Sequence, residues 1–425
     1  MDAPTTIEVL ERMRRGEPLT GSEVDAVVRA WDNGSAGDAQ MGAWCMAVAR
    51  QGLEVEGAVA LGRALIASGE RLDLARFGPV VDLQSVGGVG DSSLLVAAPI
   101  AASLGVRVAG LHGPGLGVMG GTLDLLDSVP GVQTSFDLSE IVRLVRDEPV
   151  VLGDVHDRIC PAERRLWGIR LSTGTGDVIE LALAATVARA LAFGAPSIVV
   201  HIPVGMGNPA SDGVRARHGE QIAHAFAAPF GRNIRVVTSE APTPLSNAVG
   251  PLLEVRQASA VLRGEGPDAL REAAILIAGA AAELAGIASA GDGPQRAREA
   301  LANGSALAAA KRWITSQGGD GETLADTRSG GGTPILLDIP AERDGVLSAI
   351  NAVQVGEAAR WVGAGRMHPT QFVDHATGIG LPVTVGMHVS EGDALAWVHA
   401  RDEALGDRAV QMLTSAFVVA DAPDA

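Results

Sequence analysis

Two glycine-dense loops constrain this chain more than any other feature. The first stretch, Val80 to Asp91, reads V-V-D-L-Q-S-V-G-G-V-G-D, and the second, Gly113 to Asp124, reads G-P-G-L-G-V-M-G-G-T-L-D. Each is tied to a short apolar run and leads into a segment with helical periodicity. Glycine admits positive φ and lets peptide N–H groups approach a ligand closely. A helix that starts just after such a loop adds unpaired N–H groups and a partial positive charge. Alone, each loop reads equally well as an ordinary strand-to-helix connection. As a pair, both carrying Ser or Thr, they read as an anion cradle of the phosphate type.

The rest of the chain gives these loops a setting. Residues 5 to 68 have helical patterning, with Thr20 and Glu23 forming a capping box before Val24 to Trp31 and Asn33-Gly34 ending that helix. Trp44, Met46 and Leu53 read as core or subunit contacts. From Val80 onward, strand, loop and helix alternate, which predicts a parallel sheet with ligands at the carboxyl ends of its strands. Asp177 to Ala192 reads as one long apolar helix. Helices are expected near 252–263, 268–285, 293–303 and 306–317, followed by a Gly/Asp/Ser-rich linker from Gly318 to Gly332. The tail from Pro334 reads as mostly β with one helix, near Gly356 to Val362. Within it, Val389 to Ala400 looks like a small barrel hairpin without the tip lysine of a biotinyl or lipoyl carrier.

Composition excludes several function classes. The formal net charge of −17 argues against nucleic acid and anionic membranes as partners. No apolar run has the length of a membrane span, and Met1-Asp2-Ala3-Pro4 lacks the start of a signal peptide. Two cysteines in 425 residues, Cys45 and Cys160, suggest buried thiols in a reducing compartment, so a cytoplasmic protein is expected. No Cys/His spacing reads as a metal site. Lys311 is the single lysine among 33 Lys and Arg residues. An arginine where a lysine is expected therefore means little here, and a leucine means more.

The two loops, together with Ala162-Glu163-Arg164-Arg165 and Arg170, Ser246-Asn247-Ala248-Val249, Glu254-Val255-Arg256 and the tail from His368, resemble the thymidine phosphorylase and pyrimidine-nucleoside phosphorylase family. The resemblance spans essentially the whole chain. It implies an α/β fold class: a small all-α domain, a large α/β domain with a mostly parallel sheet, and a C-terminal α+β part. The small domain would comprise 1–68 plus 160–192, carrying dimer contacts and the base side of a cleft. The large domain would comprise 70–155 plus 195–330 on the phosphate side, with 334–425 as its C-terminal part. It also implies a homodimer without cofactor that uses phosphate as co-substrate. The reaction would be reversible phosphorolysis of a pyrimidine nucleoside, or a modified analogue, to free base and (deoxy)ribose 1-phosphate.

Carried over residue by residue, the resemblance assigns phosphate contacts to Ser85, Gly87, Gly88, Ser93, His112 and Thr122. It assigns base contacts to Gln84, Leu116, Arg170, Ala185 and Arg189, with Arg170, Gln84 and Arg189 as the catalytic set. The chain departs from the family where Leu83-Gln84-Ser85 replaces Lys-His-Ser, where Leu94 replaces a hydroxyl, where His112 replaces a serine and where Ala185 replaces another. Loss of the lysine removes the one full cation of the phosphate set. Asp82 to Val86 and Gly250 to Glu254 also look somewhat like nucleoside-5′-monophosphate phosphorylases. A relative that only binds nucleoside, or hydrolyses it with water, is the remaining alternative.

Overall fold

The chain is described by a computed structural model over residues 5–154, 157–324 and 332–421. Residues 325–331 of the expected linker lie outside the described residues. The N-terminal part is a helical bundle of α1 (Thr6–Arg14), α2 (Gly21–Asp32), α3 (Asp38–Gln51) and α4 (Val55–Ala67). The first two helices open with the same device. Thr5 with Glu8, and Thr20 with Glu23, each satisfy two otherwise unpaired N–H groups. Trp31 and Trp44 are fully buried, whereas Met46 is exposed. Both cysteines are buried free thiols.

The alternation that follows builds β1 (Val80–Ser85), α5 (Ser93–Ser103), β2 (Arg107–His112), α6 (Thr122–Asp127), α7 (Leu138–Asp147) and β3 (Val150–Asp154). Next come α8 (Pro161–Thr173), α9 (Ile179–Phe193), β4 (Ser197–Val204), α10 (Gly213–Ala225), α11 (Ala227–Phe230) and β5 (Asn233–Glu240). The five strands form one parallel sheet in the order β3-β2-β1-β4-β5, with β1 at its centre. Because side chains alternate across a strand, Val80 packs in the core shared with α4 and α9. Val81 and Leu83 pack in the opposite core, with Val96 and Ile100 of α5 and Val199 of β4.

The remaining elements are β6 (Ala248–Val249), α12 (Pro251–Leu262), α13 (Asp268–Leu284), α14 (Gly293–Ala302) and α15 (Ser305–Ser316). The tail adds β7 (Ile335–Pro340), β8 (Gly345–Ile350), α16 (Ala352–Ala359), β9 (Gly378–Gly380), β10 (His388–Val389), β11 (Ala394–Ala400), α17 (Glu403–Leu413) and β12 (Phe417–Ala420). Thus the expected fold class is the observed one: a helical bundle, a parallel α/β unit and an antiparallel α+β tail. Two details differ. Val389 to Ala400 is not a hairpin, because β11 has β7 on one edge and β9 on the other, leaving β10 to pair with β8. The tail also holds a second helix, α17, started by the Asp402 side chain accepting from the Leu405 N–H.

An edge strand leaves peptide groups without partners, and β3 is such an edge. Gln317, just past α15, covers it. Its Oε1 accepts from the Leu152 N–H at 3.1 Å and its Nε2 donates to the Leu152 carbonyl at 2.9 Å, as a neighbouring strand would. The same amide accepts from Trp313 Nε1 at 2.5 Å and donates to the Gln133 carbonyl at 2.8 Å. Gln317→Ala leaves these buried groups unpaired, at about 1–3 kcal/mol for each one that water cannot reach. We expect a loss of at least about 3 kcal/mol in urea unfolding. A loss below about 1 kcal/mol would show that water replaces the amide and that the staple is not structural.

Candidate active site

The two glycine loops and two helix stripes face one another across a cavity of about 80 Å³. On the sheet side, β1 ends at Ser85 and β2 at His112, so both loops leave from the carboxyl ends of adjacent strands. On the helix side, α8 presents Glu163, Trp167 and Arg170, and α9 presents Ala182, Ala185, Thr186 and Arg189. Those spacings of three and four residues put each set on one helix face. Two glycines are required by geometry. Gly87 has φ +82°, and a Cβ on Gly121 would lie 2.3 Å from the Gly115 nitrogen. The Trp167 indole N–H donates to the Pro114 carbonyl at 3.1 Å, so α8 touches the second loop directly.

A buried polar network lies behind this surface. Arg189 Nε donates to the Leu111 carbonyl at 2.9 Å, Nη1 to Glu163 Oε1 at 2.9 Å and Nη2 to Gln84 Oε1 at 3.4 Å. Gln84 Nε2 in turn donates to Asp82 Oδ1 at 2.8 Å and to the Leu111 carbonyl at 3.0 Å. Burial pushes the Asp82 carboxyl up to about 7, against the opposing effects of Gln84 and Arg189. Burial, and then the Arg189 charge, push His112 down to about 3, so its imidazole is neutral. The second knot lies under the first loop. Ser85 Oγ donates to Asp91 at 2.7 Å, and Asp91 also accepts from the Ser93 N–H at 3.1 Å. Desolvation works against the Asp91 charge, but hydrogen bonds from His201, Ser93 and Ser85 outweigh it and hold the carboxyl below its ordinary range.

Arg170 is different. It is only 4% exposed. It donates to the Gly176 carbonyl at 2.7 Å and reaches the Thr175 carbonyl at 3.5 Å, but no carboxylate among the described residues pairs with it. Burial pushes its guanidinium down to about 10, which still leaves it charged at neutral pH.

Of the residues singled out in the sequence, Ser85, Gly87, His112, Leu116, Thr122, Arg170, Ala185 and Arg189 line this one cavity. Gln84 sits behind its wall, with both amide hydrogens turned inward. The Ser93 hydroxyl faces His201 Nδ1 at 3.2 Å. Gly88 packs so closely on Asn208 that a Cβ would overlap its Oδ1. Glu163 and Trp167 also line the cavity; Glu163 stood in the Ala162–Arg165 motif without a site role and Trp167 was not singled out, and their place on the Arg170 face of α8 was the available signal. No cluster of His, Cys, Asp or Glu that could hold a metal ion occurs among the described residues.

Leu83 lies on the far face of β1, fully buried in an apolar cluster. Leu83→Lys would bury an ammonium there, at a cost of several kcal/mol per ion. We expect a fall in the thermal midpoint and no decrease in the KM for phosphate. A stable Leu83→Lys variant with a lower phosphate KM would show instead that this side chain can reach the cradle.

Comparison with known proteins adds an independent line. Residues 7–69 match the helical bundle domain of a glycosyl transferase family, and residues 78–154 match its α/β domain. Residues 346–420 match the pyrimidine nucleoside phosphorylase C-terminal domain. The pyrimidine-nucleoside phosphorylase of Geobacillus stearothermophilus is 33% identical over 403 residues, covering 94% of this chain and 93% of the relative. That of Bacillus subtilis (strain 168) is 32% identical over 419 residues, covering 98% and 96%. Among solved structures, anthranilate phosphoribosyltransferase from Thermus thermophilus superposes with a TM-score of 0.58 at 21% identity. It covers 75% of this chain and 99% of that one, a likeness of fold alone.

Proposed function

We infer the activity from one premise: the chain belongs to the pyrimidine-nucleoside phosphorylase family. It is a pentosyltransferase. The reaction is phosphorolysis of a pyrimidine nucleoside, in which a phosphate oxygen bonds to C1′ as the C1′–N1 bond breaks. The electron pair of that bond leaves with the base, which is then protonated, and the products are free base and a pentose 1-phosphate.

The observation that carries this reading is Arg170, a buried cation that no carboxylate among the described residues pairs with, facing two glycine loops across one cavity. A fixed positive charge beside the departing base stabilises the negative charge that develops there. Phosphate is placed at the loop end. The Thr122 hydroxyl makes no hydrogen bond among the described residues, so it is free to donate to phosphate. The Ser85 hydrogen is spent on Asp91, which makes Ser85 a brace for the loop. His112 is neutral and Leu94 lines the cavity, so this end offers phosphate neutral donors only. Neutral hydrogen bonds are roughly half as strong as charge-assisted ones, and weak phosphate binding follows.

Free base should appear from uridine or thymidine only when phosphate is added. Base release at the same rate in phosphate-free buffer would establish hydrolysis instead. Arg170→Ala removes a charged hydrogen bond to the base, typically about 1.5–3 kcal/mol. In kcat/KM that is on the order of 10- to 100-fold. An unchanged kcat/KM in a folded variant would take Arg170 out of the site.

We further propose a cytoplasmic homodimer joined through the N-terminal helices, where Ile7 and Met46 are exposed. The apolar 177–192 helix, expected at the contact, has no face to offer. As α9 it is buried along its whole length within its own chain. No helix among the described residues is long and apolar enough to cross a membrane. Light scattering at micromolar concentration should give twice the chain mass; a monomer there rules the dimer out.

A further inference from the structure

A second cavity, of about 350 Å³, adjoins the first, and Leu116, Met119 and Arg170 line both. Across it from Arg170 stands Arg360, at the C-terminal end of α16. The Arg360 Nε is buried without an acceptor, and no carboxylate pairs with the side chain among the described residues. Its Nη1 reaches the tip of the second glycine loop, 3.9 Å from where a Cβ of Gly117 would lie. Two acids also line the cavity, the exposed Asp177 and the half-buried Glu357, yet neither forms an ion pair with either guanidinium. Those carboxylates have water. Arg170 spends its Nε and Nη2 hydrogens on the Thr175 and Gly176 carbonyls, and the buried Arg360 Nε has no acceptor among the described residues.

By contrast Arg189, which lines the first cavity, is neutralised by Glu163 at 2.9 Å, and Arg366, outside both cavities, by Asp124 at 2.7 Å. Arg170 is buried with no carboxylate paired to it among the described residues, a costly arrangement, and Arg360 sets a second guanidinium on the same cavity. We propose that the second cavity binds an anionic substituent, a carboxylate or a phosphate, carried by the pyrimidine on the edge opposite its glycosidic nitrogen. This rests on the phosphorylase reading. On that reading N1 of the base faces the sugar and the phosphate, so the C4–C5 edge points away from the phosphate end, towards Arg170 and the second cavity, which the tip of the second glycine loop also lines. The neutral part of the base then occupies the first cavity and the anion bridges the two guanidiniums.

The test compares phosphorolysis of uridine, 5-carboxymethyluridine, 5-phosphonomethyluridine and the neutral 5-carbamoylmethyluridine. One of the two anions should exceed the amide in kcat/KM by at least about tenfold, equivalent to about 1.4 kcal/mol, and which one does so separates carboxylate from phosphate recognition. Arg360→Met should abolish that advantage and leave uridine turnover unchanged. Equal kcat/KM for anions and amide in the wild type overturns the proposal, whether or not the variant folds. So does an advantage that survives Arg360→Met. A preference for uridine 5′-monophosphate over uridine, lost in Arg360→Met, would put the anion on the sugar and overturn attachment to the base. If no nucleoside releases base, the phosphorylase reading fails by itself. Calorimetric binding of 5-carboxymethyluracil and 5-phosphonomethyluracil against 5-carbamoylmethyluracil then decides the cavity's preference directly.

Discussion

The cleft depends on one guanidinium. Arg189 of α9 holds Glu163 of α8, the Leu111 carbonyl near the end of β2 and the Gln84 amide of β1 at once. It therefore sets the distance and register between the helical wall and the sheet wall. The pairing with Glu163 is what makes its burial tolerable, since breaking a buried ion pair typically costs about 3–5 kcal/mol. The rest of the network follows from that commitment. Gln84 gives its oxygen to Arg189 and so turns its hydrogens to Asp82 and Leu111. The Arg189 charge is already balanced by Glu163, so burial dominates at Asp82 and raises its carboxyl to about 7. A connected buried polar network of this kind helps to fix geometry, although Asp82 Oδ2 has no hydrogen-bond partner among the described residues.

The same commitment divides the cavity electrically. Its helix wall keeps one uncompensated cation, Arg170, while its loop end keeps none. His112 is held neutral by burial and by Arg189 behind it. Leu83 lies on the wrong face of β1 to help, and Ser85 is tied to Asp91. On the proposed reading, an incoming phosphate would meet the glycine loops and the Thr122 hydroxyl, in a protein whose formal net charge is −17. In the proposed reaction, catalysis would then lean towards stabilising the departing base more than towards gripping the attacking anion. That balance suits a leaving group able to spread its charge, which a pyrimidine does over its ring and carbonyls.

Much of this was legible in the sequence because it is local. Glycine loops after apolar runs and the Thr20–Glu23 cap are short-range patterns with a direct physical cause. What escaped was decided at long range. Gln84 and Ser93 stand in the right loop region, but the direction of their polar atoms depends on Arg189 and His201, more than 100 residues away. Gln317 reads as an ordinary helix-end residue until β3, 165 residues earlier, needs an edge partner. Val389 to Ala400 alternates as a hairpin should, yet β11 is claimed on both edges by strands the pattern does not reveal. Sequence patterns show which groups a segment offers; the fold decides which partner takes them.

Arginine chemistry sharpens the last point. A buried lysine without a partner can shed its proton and become neutral, but a guanidinium cannot do so within the physiological range. Arg170, even pushed down to about 10, remains a full charge at neutral pH. Arg189 meets this constraint with Glu163, and Arg366 meets it with Asp124. Arg170 and Arg360 form no ion pair with a carboxylate among the described residues, though Asp177 and Glu357 line the same cavity and Arg170 donates to the Gly176 carbonyl. Residues of one chemical type thus divide into those that close the structure and those that leave it open. Arg170 lines both cavities where they join, and on the proposal above a substrate anion would supply the counter-charge there.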